Sequence, residues 1–174
     1  MGKPKANLKD IEMLILDVDG VLTDGTLIIN GDGSESKFFC SLDGHGIRMW
    51  RRAGLKIAFL SGRESSPTKH RAQQLEVDYV FQNCFDKLDA VKKFLEQTGL
   101  PAEKVAYVGD DLPDLPVIRY VGFGAAVANA VDEVRQCADY VTSSSGGSGA
   151  VREVIELILK SSGKWQNLLK KYLF

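Results

Sequence analysis

Short apolar runs alternate with longer stretches of helical periodicity along most of this chain. The runs are Ile11–Leu16, Lys56–Leu60, Asp78–Phe81, Lys104–Val108, Gly122–Val127 and Asp139–Thr142. Each is short, and the first, through Met13–Leu16, has the pattern of a strand buried on both faces. Between them the periodicity predicts helices over Gly46–Ala53, Pro67–Leu75, Asp86–Thr98, Pro113–Val117, Ala130–Gln136 and Gly149–Lys160. In the last of these Val151, Val154, Ile155, Ile158 and Leu159 make one apolar stripe. Ser66 is placed to cap the second helix, with Pro67 at its first position. Gly99 and Pro101 stop the third. Such alternation predicts an α/β fold, a Rossmann-like three-layer sandwich around a mostly parallel central sheet.

One segment breaks the alternation. Thr26–Asn30 and Glu35–Cys40 flank Gly31-Asp32-Gly33, which predicts a β-hairpin inserted after the first strand. It would stand over the C-terminal edge of the sheet, where open α/β folds bind ligands. Ser143–Gly149 is rich in serine and glycine, either a simple linker or a mobile element near a site. Past Lys160 the tail carries Trp165, Leu168, Leu169, Tyr172 and Leu173 at helical spacing. It covers its own domain or packs on another subunit, the second being favoured because the core looks complete at Lys160. The expected organisation is one domain over residues 1–160, with the hairpin at about 26–40, and a helical tail over 161–174.

Composition narrows the class. A chain of 174 residues supports one real core. Its net charge of -1 gives no bulk field for nucleic acid or an anionic membrane. No apolar stretch approaches the roughly 20 residues that span a bilayer. Met1–Asp10 is polar, without the apolar centre of a signal peptide. The three cysteines, Cys40, Cys84 and Cys137, are odd in number and scattered, which fits neither a disulfide framework nor a zinc cluster. These features predict a soluble cytoplasmic domain with reduced thiols.

Candidate chemistry stands at four strand ends. The first apolar run breaks into Asp17-Val18-Asp19-Gly20, two carboxylates one residue apart that an extended backbone would point to one side. Like charges there repel unless a cation such as a divalent metal compensates them. A calcium loop fails on Val21, Leu22 and Ile28, which stand where it needs an oxygen ligand, glycine and glutamate. The second run ends in Ser61-Gly62-Arg63, a hydroxyl, an amide and a guanidinium that suit an anion. Lys87 opens a helix, where its charge sits badly with the helix dipole. The fourth end, Gly109-Asp110-Asp111-Leu112-Pro113-Asp114, packs three carboxylates into five residues. Parallel strands would bring acid, hydroxyl, lysine and acid to one edge of the sheet. That combination makes a carboxylate nucleophile, a phosphate clamp and a magnesium site.

The four motifs, Asp17–Thr23, Ser61, Lys87 and Gly109–Asp114, resemble those of the haloacid dehalogenase superfamily, over nearly the whole chain. Within it the chain is similar to the capless family of 3-deoxy-D-manno-octulosonate 8-phosphate phosphatases. The hairpin, Asp43–Arg48, Val105–Leu112, Ala138–Thr142 and Gly146–Val154 carry that narrower likeness. His45 departs from a common aromatic residue and Ser61 from a common threonine, which keeps the hydroxyl. The resemblance implies no large cap domain and a homotetramer whose hairpins pack together. It implies a sugar phosphate substrate and a place in making the inner core of lipopolysaccharide. It implies Asp17 as nucleophile and Asp19 as the acid that protonates the leaving oxygen and then deprotonates water. Magnesium is held by Asp17, the Asp19 carbonyl and Asp110. Ser61, Gly62 and Lys87 bind the phosphoryl group, Arg63 is the candidate for further substrate contact, and Asp111 and Asp114 orient the site.

Three rivals remain. Close relatives act on nine-carbon keto-deoxy or acylneuraminate phosphates. A silent interaction module on the same scaffold would usually have lost Asp17, Asp19 or Lys87. A phosphorylatable receiver domain would need an acid at the third strand end, where Gln82-Asn83 stands.

Overall fold

A computed structural model describes residues 7–173. Of the polar N-terminal stretch Met1–Asp10, residues 1–6 lie outside the described residues, as does Phe174 of the tail. Six strands form one parallel sheet: β1 (Met13–Leu16), β4 (Lys56–Leu60), β5 (Tyr79–Phe81), β6 (Val105–Gly109), β7 (Phe123–Ala126) and β8 (Tyr140–Val141). Their order across the sheet is β5-β4-β1-β6-β7-β8. β2 (Ile28–Ile29) and β3 (Glu35–Ser36) pair antiparallel as the separate hairpin. The helices are α1 (Ser41–Arg52), α2 (Ser66–Leu75), α3 (Lys87–Thr98), α4 (Leu115–Tyr120), α5 (Asp132–Cys137), α6 (Ala150–Ser161) and α7 (Trp165–Leu173). α1 packs on α6 on one side of the sheet, while α3, α4 and α5 adjoin one another on the other. Among the described residues no helix is long and apolar enough to cross a membrane.

β1 lies centrally, and all four of its residues are buried, the reason its sequence is an unbroken apolar run. Chain order reverses at β1, with β4 on one side and β6 on the other, and a crevice opens at the C-terminal ends of strands at such a switch point. The register sets Leu16 opposite both Phe59 and Val108, so the chain ends of β1, β4 and β6 are level.

Several boundaries differ from the expectation. α1 begins at Ser41 rather than Gly46. Gly44 and Gly46 obscured its first turns; they admit Arg71 and Arg152, whose atoms would lie 2.3 and 3.0 Å from a β-carbon there. The cap of α2 is Ser65 rather than Ser66, its hydroxyl accepting from the Thr68 amide at 3.3 Å. A 3-10 turn over Leu112–Asp114 precedes α4, because the Asp111 and Asp114 side chains satisfy local backbone amides in a reciprocal capping box. The hairpin pairs over two residues a side, shorter than expected. Ser143–Gly149 is no loose linker: Glu153 accepts from the Ser143 and Ser144 amides at 2.8 and 3.1 Å, and the Gly147 amide donates to the Val21 carbonyl at 2.9 Å. The tail meets its own domain. Trp165 is buried in the core, Leu168 and Leu169 pack against it, and Tyr172 Oη accepts from Arg52 at 2.7 Å.

Candidate active site

All nine residues singled out from the sequence, from Asp17 to Asp114, line one cavity of about 380 Å³ at the C-terminal edge of the sheet. Asp17 follows β1. The chain bends at Val18 and turns through Asp19 and Gly20. Thr23 ties this loop: its Oγ1 accepts from the Gly20 and Gly25 amides at 3.3 and 3.2 Å and donates to the Val18 carbonyl at 3.4 Å. Gly20 has φ +94°, and a β-carbon there would lie 2.0 Å from Asp110 Oδ2, so only glycine lets the two acidic loops meet.

Lys87, in the first turn of α3, is buried and donates to Asp17 Oδ1 at 2.8 Å and Asp114 Oδ1 at 2.6 Å. The misfit with the helix dipole thus has its compensation in two carboxylates. Asp114 is fully buried and saturated: Oδ1 also accepts from Tyr107 Oη at 2.5 Å, and Oδ2 from the Asp110 and Asp111 amides at 3.0 and 3.2 Å. With every lone-pair direction occupied, Asp114 suits a supporting role rather than a ligand's.

Asp17, Asp110 and Asp114 bring carboxylate oxygens within 4.8 Å of one another. Three carboxylates share one ammonium. Burial and the Asp114 charge hold Asp17 well above the usual carboxylate range, with Lys87 opposing. Burial and Asp114 also push Asp110 up to about 6. Burial works against the Lys87 charge, but Asp17 and Asp114 outweigh it and hold its pKa above the usual lysine value. Burial, then Asp114, keeps the Tyr107 hydroxyl protonated far beyond neutrality. Asp110 Oδ1 is buried without a hydrogen-bond partner. An oxygen set with surplus negative charge and one orphaned carboxylate oxygen fits a hard divalent cation.

Ser61 follows β4 and is buried, its hydroxyl donating to the Arg63 carbonyl at 3.0 Å and accepting from the Arg63 amide at 3.2 Å. Arg63 reaches the hairpin, its Nη2 3.3 Å from Glu35 Oε2. Asp111 caps the 3-10 turn through the Leu112 amide at 2.8 Å.

The haloacid dehalogenase-like hydrolase family matches residues 79–155. The 3-deoxy-D-manno-octulosonate 8-phosphate phosphatase KdsC of Escherichia coli K12 is 43% identical over 159 residues, 91% of this chain and 85% of its own. This chain belongs to that phosphatase family. A crystal structure of a probable YrbI family phosphatase from Pseudomonas syringae superposes with TM-score 0.95 at 48% identity, covering 97% and 96% of the two chains. The family's phosphatase from Moraxella catarrhalis, solved with a magnesium ion, a phosphate ion and a KDO molecule, superposes with TM-score 0.93 at 38% identity over 95% of each chain.

Within the family scaffold the sequence reading missed several contributors. Lys37 forms an ion pair with Asp19, whose carboxylate lines the same cavity as Asp17 but stands outside the close cluster of Asp17, Asp110 and Asp114. Tyr107 looked like one more apolar strand residue. Gly146 and Gly147 pack on the loop at Gly20–Asp24 rather than linking elements. His45 lies away from the cavity, its Nε2 2.8 Å from Tyr172 Oη and its Nδ1 3.3 Å from Arg152. Burial and the neighbouring arginines hold its pKa below the usual histidine value.

Proposed function

We propose that this protein is a magnesium-dependent phosphatase that hydrolyses 3-deoxy-D-manno-octulosonate 8-phosphate to the free sugar acid and phosphate. The observation that carries the reading is the buried Asp17–Lys87–Asp114 ion-pair group beside the orphaned Asp110 oxygen, in a chain 43% identical to KdsC over 91% of its length.

Asp17, Asp110 and the backbone carbonyl of Asp19 would hold the magnesium ion, which when bound neutralises phosphoryl charge that otherwise repels a carboxylate. Asp17 attacks phosphorus, forming an aspartyl-phosphate as the phosphorus–sugar oxygen bond breaks. Asp19 gives its proton to the departing oxygen and then takes one from the water that attacks the intermediate, freeing phosphate and Asp17. Lys87 and the Gly62 amide bind phosphoryl oxygens, and Ser61 turns its hydroxyl from the Arg63 carbonyl to one of them. Arg63 contacts the sugar acid. Asp111 and Asp114 orient the loop and Lys87.

The same reading takes the protein as a cytoplasmic homotetramer. Free thiols at Cys40, Cys84 and Cys137 support the compartment. Exposed Leu27, Ile29 and Phe38 on and beside the hairpin support packing between copies. The domain ending near Lys160 with a tail over 161–174 stands as part of the reading, the tail docking through Trp165.

Phosphate release from the octulosonate phosphate, a nine-carbon keto-acid phosphate and hexose phosphates, each with magnesium and with chelator, tests it. Magnesium-dependent preference for the octulosonate supports the reading. Preference for the nine-carbon ester overturns the substrate, and no release from any ester overturns the activity.

A further inference from the structure

Asp19 lines the same cavity as Asp17, Asp110 and Asp114, yet its carboxylate is not among the three that approach within 4.8 Å of one another. It is turned instead to Lys37, just past β3. The Lys37 side chain is 2% exposed and Asp19's is 22%, so the hairpin buries the ammonium while the carboxylate keeps a face on the cavity. A buried ammonium needs a partner, and among the described residues Asp19 is Lys37's ion-pair partner. Lys87, the buried lysine that lines the cavity, is taken by Asp17 and Asp114. A freed Asp19 would be drawn toward Lys87 and toward a cation held by Asp17 and Asp110. There it would add another carboxylate to the crowded cluster and leave the departing oxygen without its proton donor.

We propose that Lys37 is a positioning residue for the acid–base carboxylate: its ion pair holds Asp19 out of the acidic cluster and on the leaving-group side of the cavity. The hairpin is therefore tied to the sheet edge twice, by Lys37–Asp19 and by Glu35–Arg63, and the first tie serves the chemistry. The proton at stake is the one Asp19 takes from water as the aspartyl-phosphate is hydrolysed; in the next turnover it passes from the Asp19 carboxyl to the sugar oxygen as the phosphorus–oxygen bond breaks. An aryl oxide leaves as a stable anion and does not need that proton. This inference rests on the phosphatase reading above.

The test compares kcat and KM for the octulosonate phosphate and for p-nitrophenyl phosphate in the wild type, Lys37→Met, Lys37→Arg and Glu35→Gln. Lys37→Met lowers kcat on the sugar phosphate by about 10²-fold, the scale of a lost proton transfer, and leaves the aryl ester nearly unchanged, with KM steady for both. Lys37→Arg restores part of the loss. Glu35→Gln, which frees Arg63 without touching Asp19, confines any selective change to KM for the sugar phosphate and leaves the ratio of kcat on the two esters as in the wild type. In Lys37→Met the magnesium concentration for half-maximal thermal stabilisation falls, because Asp19 is free to join the cluster. Equal loss on both esters, or loss on neither, overturns the proposal. Should the wild type turn over only the sugar phosphate, an unchanged magnesium requirement in Lys37→Met overturns it. A wild type silent on both esters with magnesium refutes the phosphatase reading itself.

Discussion

Replacing Gly146 with alanine adds one methyl group outside the active site, yet it should cost most of the activity. A β-carbon at Gly146 would stand 1.7 Å from the Gly20 carbonyl oxygen and 3.1 Å from that of Thr23. Carbon and oxygen in close contact keep roughly 3.3–3.6 Å apart, so the two loops must part by more than about 1.5 Å. The Gly146 loop cannot simply yield, because its amide donates to Asn129 Oδ1 at 2.8 Å and the next amide to the Val21 carbonyl at 2.9 Å. The catalytic loop after Asp19 shares the displacement. Overpacking of this kind costs about 1–3 kcal/mol, a fall in Tm of roughly 2–12 °C for a chain of this size. A misplacement near 1 Å costs about 10²-fold in rate. Thermal unfolding and steady-state phosphate release measure both. Gly163→Ala is the control: its φ is +71° with open space around it, so it strains the backbone far from the site and should lower Tm by a few degrees with kcat intact. Wild-type kcat in Gly146→Ala, with only Tm reduced, would refute the claim that this loop sets the position of the catalytic one.

Other outcomes follow from the same geometry. Asp17→Asn abolishes turnover and raises the Tm of the metal-free protein at neutral pH, since burial and Asp114 disfavour the ionised carboxylate; turnover in a clean preparation would remove the nucleophile assignment. Asp110 is raised in the folded state, so its contribution to metal-free stability is present below the ordinary value of 3.8 and lost as pH rises through about 6. The Tm gap between Asp110→Asn and the wild type in chelator should therefore widen in the variant's favour across that window, and a constant gap contradicts the assignment. Asp19→Asn loses turnover on the sugar phosphate yet still gains thermal stability with magnesium, because its proposed metal contact is a carbonyl; loss of that gain argues against the contact. Trp165→Ala lowers Tm by roughly 6–20 °C, from a cost of about 3–5 kcal/mol for truncating a buried aromatic; an unchanged Tm would mean the tail does not dock on its own domain.

Much of the fold was legible because its central strands are buried on both faces, although the edge strands β5 and β8 are partly exposed. Met13–Leu16 and Val105–Gly109 read as apolar runs since helices cover them above and below. Asp17, Ser61 and Asp110 were legible for a related reason: each polar residue follows an apolar run, and parallel strands with level ends must gather them, while Lys87 stands beyond its strand in the first turn of α3. The Asp19 carboxylate was legible as a cavity residue, but its pairing with Lys37 was not. Its partner Lys37 lies 18 residues away on the hairpin, with nothing local to mark it. The start of α1 was hidden by Gly44 and Gly46, weak helix formers kept for close packing. Ser143–Gly149 reads as flexible from composition alone; the approach of the loop at Gly20–Asp24 explains Gly146 and Gly147, and a φ of +104° explains Gly149. The tail's stripe was visible, but not the surface it covers, where Arg152 and Lys160 stand over the Trp165 ring at 5.5 and 5.2 Å from its centroid.

The central claim is that a carboxylate of the protein, Asp17, takes the phosphoryl group before water does. Its most direct test is the stereochemical course at phosphorus, followed with an isotopically chiral phosphate ester of 3-deoxy-D-manno-octulosonate in labelled water. Two in-line displacements through Asp17 predict net retention. Net inversion would mean that water attacks the substrate directly, and would contradict the account.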